Sequence, residues 1–214
     1  MEQKKGIKLL KIIAQIMGAI FVVICAITIF FNVTHEYHMV EGSSMYPTLN
    51  YSGKDGVFIS KIKSYTRGDI IVAKKGIKNA NGQDVFVIKR LIAIGGDKIT
   101  VRKVDERYRI VLIYANTDTE IILEEPYLES YSVNEVLGRK FFNMIEKCSL
   151  EIDSDGFLLL GEDEIFYLGD NRPVSEDCSS YGPNKRNNVV GKVDYIAYGG
   201  TNIYCQVIKQ AFGG

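Results

Sequence analysis

Two hydrophobic patterns divide the chain. Ile12 to Phe31 is an apolar run of 20 residues without a charge. As a helix it would extend roughly 30 Å, the thickness of a bilayer's hydrocarbon core. Beyond it the pattern breaks into short runs of β-branched and aromatic residues. Strands are predicted at Val57 to Ile59, Ile70 to Ala73, Val85 to Ile94, Ile99 to Val101, Arg109 to Tyr114 and Thr119 to Leu123. Phe157 to Leu160, Glu164 to Leu168, Val189 to Val193 and Asp194 to Tyr198 read the same way. Turn signals separate them, among them Gly53-Lys54-Asp55-Gly56, Arg67-Gly68-Asp69, Asn79-Ala80-Asn81-Gly82 and Gly95-Gly96-Asp97. Ser132 to Cys148 is the one weakly helical stretch after the apolar run. The pattern predicts a mostly β domain, a folded sheet or barrel, behind one N-terminal transmembrane helix.

The expected organisation follows. Residues 1–11 form a cytoplasmic N-terminus, 12–31 the anchor and 32–40 a juxtamembrane linker. Residues 41–99 and 164–198 form the main β domain around an inserted subdomain at 100–163, with a tail at 199–214. The insert carries no identifiable chemistry.

Charge orients the anchor. Lys4, Lys5, Lys8 and Lys11 precede the run, with only Glu2 opposing them. The positive-inside rule then puts the N-terminus in the cytoplasm and everything after about His35 on the far side. A cleaved signal peptide is the rival reading. It would show an apolar region of about 7–15 residues and a small-residue cleavage site. Phe30-Phe31-Asn32-Val33-Thr34 offers no Ala-x-Ala. Overall the 26 basic and 26 acidic residues cancel, so no nucleic-acid partner is expected.

Cysteine and histidine change little. Cys25 lies in the apolar run, and Cys148, Cys178 and Cys205 make an odd three without a C-x-x-C. A disulfide between two of them stays open. His35 and His38 are the only histidines and both fall in the linker, so no metal or cofactor is expected.

Three segments carry candidate chemistry. Ser44 sits in Gly42-Ser43-Ser44-Met45-Tyr46-Pro47-Thr48-Leu49. Gly42 permits close backbone approach, and Pro47 forbids continuation of a helix or central strand. Lys89 ends Val85-Phe86-Val87-Ile88, with Arg90 next to it. Alternation puts Val85, Val87 and Lys89 on one face. An inward lysine is desolvated, which lowers its pKa and makes it a usable base. A serine needs such a base to act as a nucleophile at neutral pH. Gly169-Asp170-Asn171-Arg172-Pro173-Val174-Ser175-Glu176-Asp177 follows the apolar strand Ile165 to Leu168. It reads either as an Asx-rich turn or as a polar brace. In the brace Ser175, Asn171, Asp170 and Asp177 orient the base.

In this order and company the motifs resemble type I signal peptidases, the membrane-bound Ser/Lys leader peptidases of bacteria. The likeness runs from the anchor to about Val193 and is weakest over 100–160. The segment around Ser44 is similar to the family's nucleophile box and implies Ser44 as nucleophile, with Gly42 and Ser43 supporting it. Arg67-Gly68-Asp69-Ile70-Ile71-Val72 resembles its strand-opening box. Lys89-Arg90 followed by Gly95-Gly96-Asp97 resembles its lysine box and implies Lys89 as general base. Gly169 to Asp177 resembles the last box, in which the serine hydrogen-bonds the lysine amine, a role that passes to Ser175. Met45, Pro47, Phe86 and Val87 are the candidate substrate-lining residues.

The chain departs from the family in places. Ala93 stands where the family usually has glycine, and Gly95 where it has proline. Ser179 stands where it often has an arginine that bridges to the aspartate. Asp177 is therefore expected to find another cation, with Arg90 first, and Lys185 or Arg186 as replacements. Some members carry a serine at the position of Gly42 whose hydroxyl helps form the oxyanion hole. Backbone N–H groups must take more of that task here.

The resemblance implies an enzyme that cuts signal peptides from secreted preproteins through an acyl-enzyme, without metal or cofactor, and that touches membrane lipid. Asn32 to Ser44 spans at most roughly 45 Å extended, which keeps a tethered nucleophile near the membrane. A non-catalytic relative that assists surface pilus assembly is the alternative, and it has no need of both Ser44 and Lys89. A self-cleaving Ser/Lys repressor-type protease should carry a DNA-binding domain in place of the anchor. An endoplasmic reticulum homologue would have histidine at Lys89, and a mitochondrial one an Arg/Ser-rich leader.

Overall fold

The computed structural model describes residues 2–49, 54–62, 64–128 and 134–200. Cys205 and most of the expected tail lie outside the described residues. The chain separates into two units, Met1–Glu36 and Tyr37–Gly214.

The first unit is helix α1 (Glu2–Thr34). It extends beyond the charge-free run at both ends. Its segment Gly6–Thr34, 29 residues, is long and apolar enough to cross a membrane. Thr28, Asn32 and Thr34, near its C-terminal end, fold their side chains back onto the helix. Thr28 Oγ1 donates to the Ile24 carbonyl at 2.9 Å and Asn32 Nδ2 to the Thr28 carbonyl at 2.8 Å. Groups satisfied this way within the helix do not expose unpaired donors to lipid.

The second unit is built from antiparallel pairs. The strands are β1 (His35–Met39), which begins in the last two residues of the first unit, β2 (Gly56–Ser60), β3 (Ile70–Lys78), β4 (Asp84–Ile94), β5 (Lys98–Val104), β6 (Arg107–Ile113) and β7 (Glu120–Ile122). After helix α2 (Asn134–Lys147) come β8 (Leu158–Leu159), β9 (Glu164–Leu168), the single turn α3 (Cys178–Tyr181), β10 (Asn184–Lys185) and β11 (Val189–Ala197). One sheet has the order β1-β2-β11-β3-β4-β9-β10, the other β7-β6-β5-β8. Both are open sheets, and the described residues form no closed barrel.

Alternation on β3 sorts the core. Ile71 and Ala73 face the larger cluster, with Leu91, Ile99, Ile110, Phe166 and α2's Leu137, Phe141 and Met144. Those three helix positions recur at the spacing of one helical face. Val72 faces a smaller cluster with Val40, Met45, Leu49, Val57 and Ile59. A fully buried side chain of this size contributes about 1.5–3 kcal/mol. Met45 and Leu49 therefore pin the loop between β1 and β2 at two points.

The structure differs from the pattern in four places. Residues 189–197 form one strand and not two, because a register shift between Val193 and Tyr195 accommodates Asp194 within β11. His35–Met39, expected as linker, is a strand whose polar sequence hides it. The pieces β10 and α3 are too short to show a period. Cys148 and Cys178, two of the three cysteines among which a disulfide was left open, are free thiols.

Candidate active site

The two candidate reacting groups reach each other from separate elements. Ser44 lies in the loop after β1, where Gly42 adopts φ 77°, a conformation that favours glycine. The Leu49 N–H donates to the Met45 carbonyl at 2.9 Å and closes that loop over the small cluster. Lys89 lies on β4 opposite Ile71. It is 4% exposed, and its Nζ stands 2.7 Å from Ser44 Oγ. Nζ also donates to the Ile88 carbonyl at 3.0 Å. Burial pulls its pKa down from 10.5 to about 8, and the nearby charge of Asp177 opposes that fall.

The loop after β9 clasps the Ser44 loop. The Asn171 N–H donates to the Ser44 carbonyl and its Nδ2 to the Ser43 carbonyl, each at 3.0 Å. Thr48 Oγ1 donates to Asp170 Oδ2 at 2.5 Å. Gly169 makes the clasp sterically feasible. A Cβ there would lie 2.2 Å from Ser175 Oγ and 2.4 Å from the Ser44 carbonyl oxygen.

Arg90 does not serve Asp177. Alternation turns it away from Lys89, and β9 pairs Leu168 with it, so Asp170, two residues on, arrives beside it. Arg90 Nε and Nη2 donate to the two Asp170 oxygens at 2.9 and 2.6 Å. Arg186, one of the expected replacements, lies 5.8 Å from the Tyr65 ring centroid. Lys185 pairs with Asp163 and Glu164. Asp177 is buried and caps α3 instead. It accepts from the Ser179 N–H and hydroxyl and from the Gly169 N–H. Among the described residues no cation pairs with it.

Ser175 also departs from expectation. Its hydroxyl is buried and makes no hydrogen bond among the described residues, so it does not hold the Lys89 amine. Lys89 turns instead to Ser44 and the Ile88 carbonyl.

The insert reaches the site through residues the sequence did not flag. Arg172 is buried, with its guanidinium against the equally buried carboxylate of Glu125. Arg172 Nε donates to the Gly169 carbonyl at 3.2 Å. The Tyr127 hydroxyl donates to Glu125 at 2.9 Å, and the Arg90 guanidinium lies 3.9 Å from the Tyr127 ring centroid. From α2, Lys140 Nζ donates to the carbonyls of Arg172 and Ser175 at 3.0 and 2.7 Å. No spacing rule links Glu125 to Arg172, 47 residues later. Farther out, Arg67 grips Asp97 with two hydrogen bonds, at 2.7 and 2.5 Å. This joins two of the motif segments.

A cavity of about 280 Å³ opens over Ser44 and Lys89, lined by Gly42, Met45, Phe86 and Val87 among others. Pro47 is not part of the lining. Among the described residues, β9 pairs with β4 only from Arg90 to Ile94. Asp84 to Lys89 therefore leave one backbone edge unpaired, and Phe86 to Lys89 of that stretch line the cavity.

The family model for signal peptidase, peptidase S26, matches residues 11–198. Signal peptidase I of Bacillus caldolyticus is 31% identical over 175 residues, 82% of this chain and 86% of that protein. Signal peptidase IB of Staphylococcus aureus strain COL is 29% identical over 159 residues, 74% of this chain and 75% of that protein. A crystal structure of a signal peptidase I from Enterococcus faecalis V583 is 23% identical. It covers 62% of this chain and 98% of the solved chain, with a TM-score of 0.36.

Proposed function

The chain belongs to the signal peptidase family, peptidase S26, and on that premise we propose that Ser44 is its nucleophile and Lys89 its general base. As a type I signal peptidase it is a serine endopeptidase that removes signal peptides, and its apolar helix fits a membrane anchor. The observation that carries the residue assignment is the 2.7 Å approach of a buried amine to a serine hydroxyl.

Ser44 Oγ attacks the carbonyl carbon at the end of the signal peptide, and its proton passes to neutral Lys89 Nζ. The backbone N–H of Ser44 helps hold the oxyanion, since Gly42 has no hydroxyl to offer. The carbon–nitrogen bond then breaks, and the Lys89 ammonium protonates the leaving amine of the mature protein. Water, deprotonated by Lys89, attacks the acyl ester and frees the signal peptide and Ser44.

The substrate lies extended on the open edge of Asp84 to Lys89, with backbone hydrogen bonds giving affinity. Its small side chains fill the cavity beside Met45, Phe86 and Val87. Lys4, Lys5, Lys8 and Lys11 keep the N-terminus cytoplasmic and the second unit outside.

The test uses the detergent-solubilised full chain and a preprotein, with the new N-terminus sequenced. Cleavage after the signal peptide is expected from the wild type. It should be abolished in both Ser44→Ala and Lys89→Ala, because nucleophile and base act as one unit. Wild-type rates from either variant would overturn the dyad.

A further inference from the structure

We propose that Glu125 and Tyr127, from the segment between β7 and α2, are positioning residues that seat the 169–177 loop and so keep Lys89 dry against Ser44.

Four contacts in series carry this inference. The Tyr127 hydroxyl donates to Glu125, whose carboxylate holds Arg172. Arg172 Nε holds the Gly169 carbonyl, and Gly169 packs against both Ser175 and the Ser44 backbone. In parallel, the Tyr127 ring supports the Arg90 guanidinium, which grips Asp170, which in turn receives Thr48 from the Ser44 loop. One short segment thus holds the clasp by two routes, through Arg172 to Gly169 and through Arg90 to Asp170. Glu125 and Arg172 are 0% and 1% exposed as side chains, so the link is a specific pair with no solvent to replace either partner. Burial also pushes the Tyr127 phenol pKa up, which keeps it a neutral donor to Glu125.

The reaction depends on this seating through the base. Lys89 is basic at the right pH because it is buried. The groups that bear on it are Asp170 and Asp177 in the loop, Cys178 on α3 and Lys75 on β3. Lys75 is itself tied to Glu176 at 2.7 Å. A loop lifted from Ser44 admits water, and the Lys89 pKa then rises toward that of a free lysine. The buried Ser175 hydroxyl, without a hydrogen-bond partner among the described residues, lies against Gly169 at this seam.

The inference rests on the Ser44/Lys89 reading, and the test separates the two. Full-length Tyr127→Leu, Tyr127→Phe and Glu125→Gln/Arg172→Gln are assayed for thermal unfolding, kcat, KM and the acid limb of the pH–rate profile. The double variant removes both charges together and leaves no buried ion alone. For folded Tyr127→Leu the expected result is a kcat about tenfold lower and KM within twofold. Its acid limb moves to higher pH by at least half a unit. Tyr127→Phe keeps the ring under Arg90 and should stay within threefold of wild type. The folded double variant should show the same alkaline shift as Tyr127→Leu. Unchanged kcat and pH limb in Tyr127→Leu overturn the proposal, as does a loss confined to KM. If the double variant fails to fold, Tyr127→Leu against Tyr127→Phe still decides. Cleavage retained by Ser44→Ala or Lys89→Ala would instead overturn the dyad itself.

Discussion

Ser179 holds Asp177 through two hydrogen bonds, one from its backbone N–H at 3.1 Å and one from its hydroxyl at 2.7 Å. Together with the Gly169 N–H, these donors solvate a carboxylate that is 1% exposed. A charge so deep needs either a counter-ion or several donors aimed at it. Here the donors come from the first turn of α3, where a capping aspartate is also favoured by the helix end.

The charge of Asp177 acts to raise the Lys89 pKa. Asp177→Asn should therefore move the acid limb of the pH–rate profile to lower pH. Asp177→Ala should also lower kcat, by loosening the loop and leaving its donors unpaired. A limb that moves upward or stays in place in Asp177→Asn would contradict the electrostatic link. Ser179→Ala should cost about 1.5–3 kcal/mol, the range for a hydrogen bond to a charged group. Thermal unfolding measures it.

Cleavage should require neutral Lys89. With its pKa lowered to about 8, kcat/KM should rise with pH and level off above that value. A profile flat from pH 6 to 9, or an ammonium that titrates by NMR as a free lysine does, would exclude the lysine as base.

The same burial opposes folding. A folded-state pKa near 8 against 10.5 unfolded means the unfolded chain binds more protons between these values. Stability should rise as pH climbs through that window and be fully present above 10.5. The shift corresponds to about 3 kcal/mol. Lys89→Met, which removes the amine and keeps the volume, should unfold at a higher temperature than wild type at pH 7. A lower melting temperature would show that the amine is better solvated than its burial implies.

Gly169→Ala should be damaging out of proportion to its size. The added methyl would meet the Ser44 carbonyl oxygen, a backbone atom that cannot turn aside, at 2.4 Å. Overpacking of this kind costs about 1–3 kcal/mol. Because the strain falls on Ser44, cleavage should drop at least tenfold even in folded protein. Wild-type cleavage by a folded variant would mean the two loops are not in register contact.

Legibility in the sequence followed the length and regularity of each segment. β4 and β9 were visible because their apolar residues run long enough to leave only one assignment. β1 was not, since His35-Glu36-Tyr37-His38-Met39 has no β-branched residue and is mostly polar. Ser44 and Lys89 stood out because each sits in an unusual local context. The partner of Arg90 did not, because Asp170 and Asp177 share one loop and only the strand register tells them apart. Glu125 and Lys140 were invisible for a different reason. Their partners are carbonyls and a guanidinium brought near by folding, and no local pattern encodes that.

The open edge of β4 is six residues long, from Asp84 to Lys89. At about 3.3 Å per residue it spans roughly 20 Å. For a peptide laid along it, that length is a ruler. In the extended binding proposed above, only the few residues just before the cut are inspected, and the rest of the cargo passes unread. Exported proteins are then free to diverge in everything that lies beyond the ruler's end.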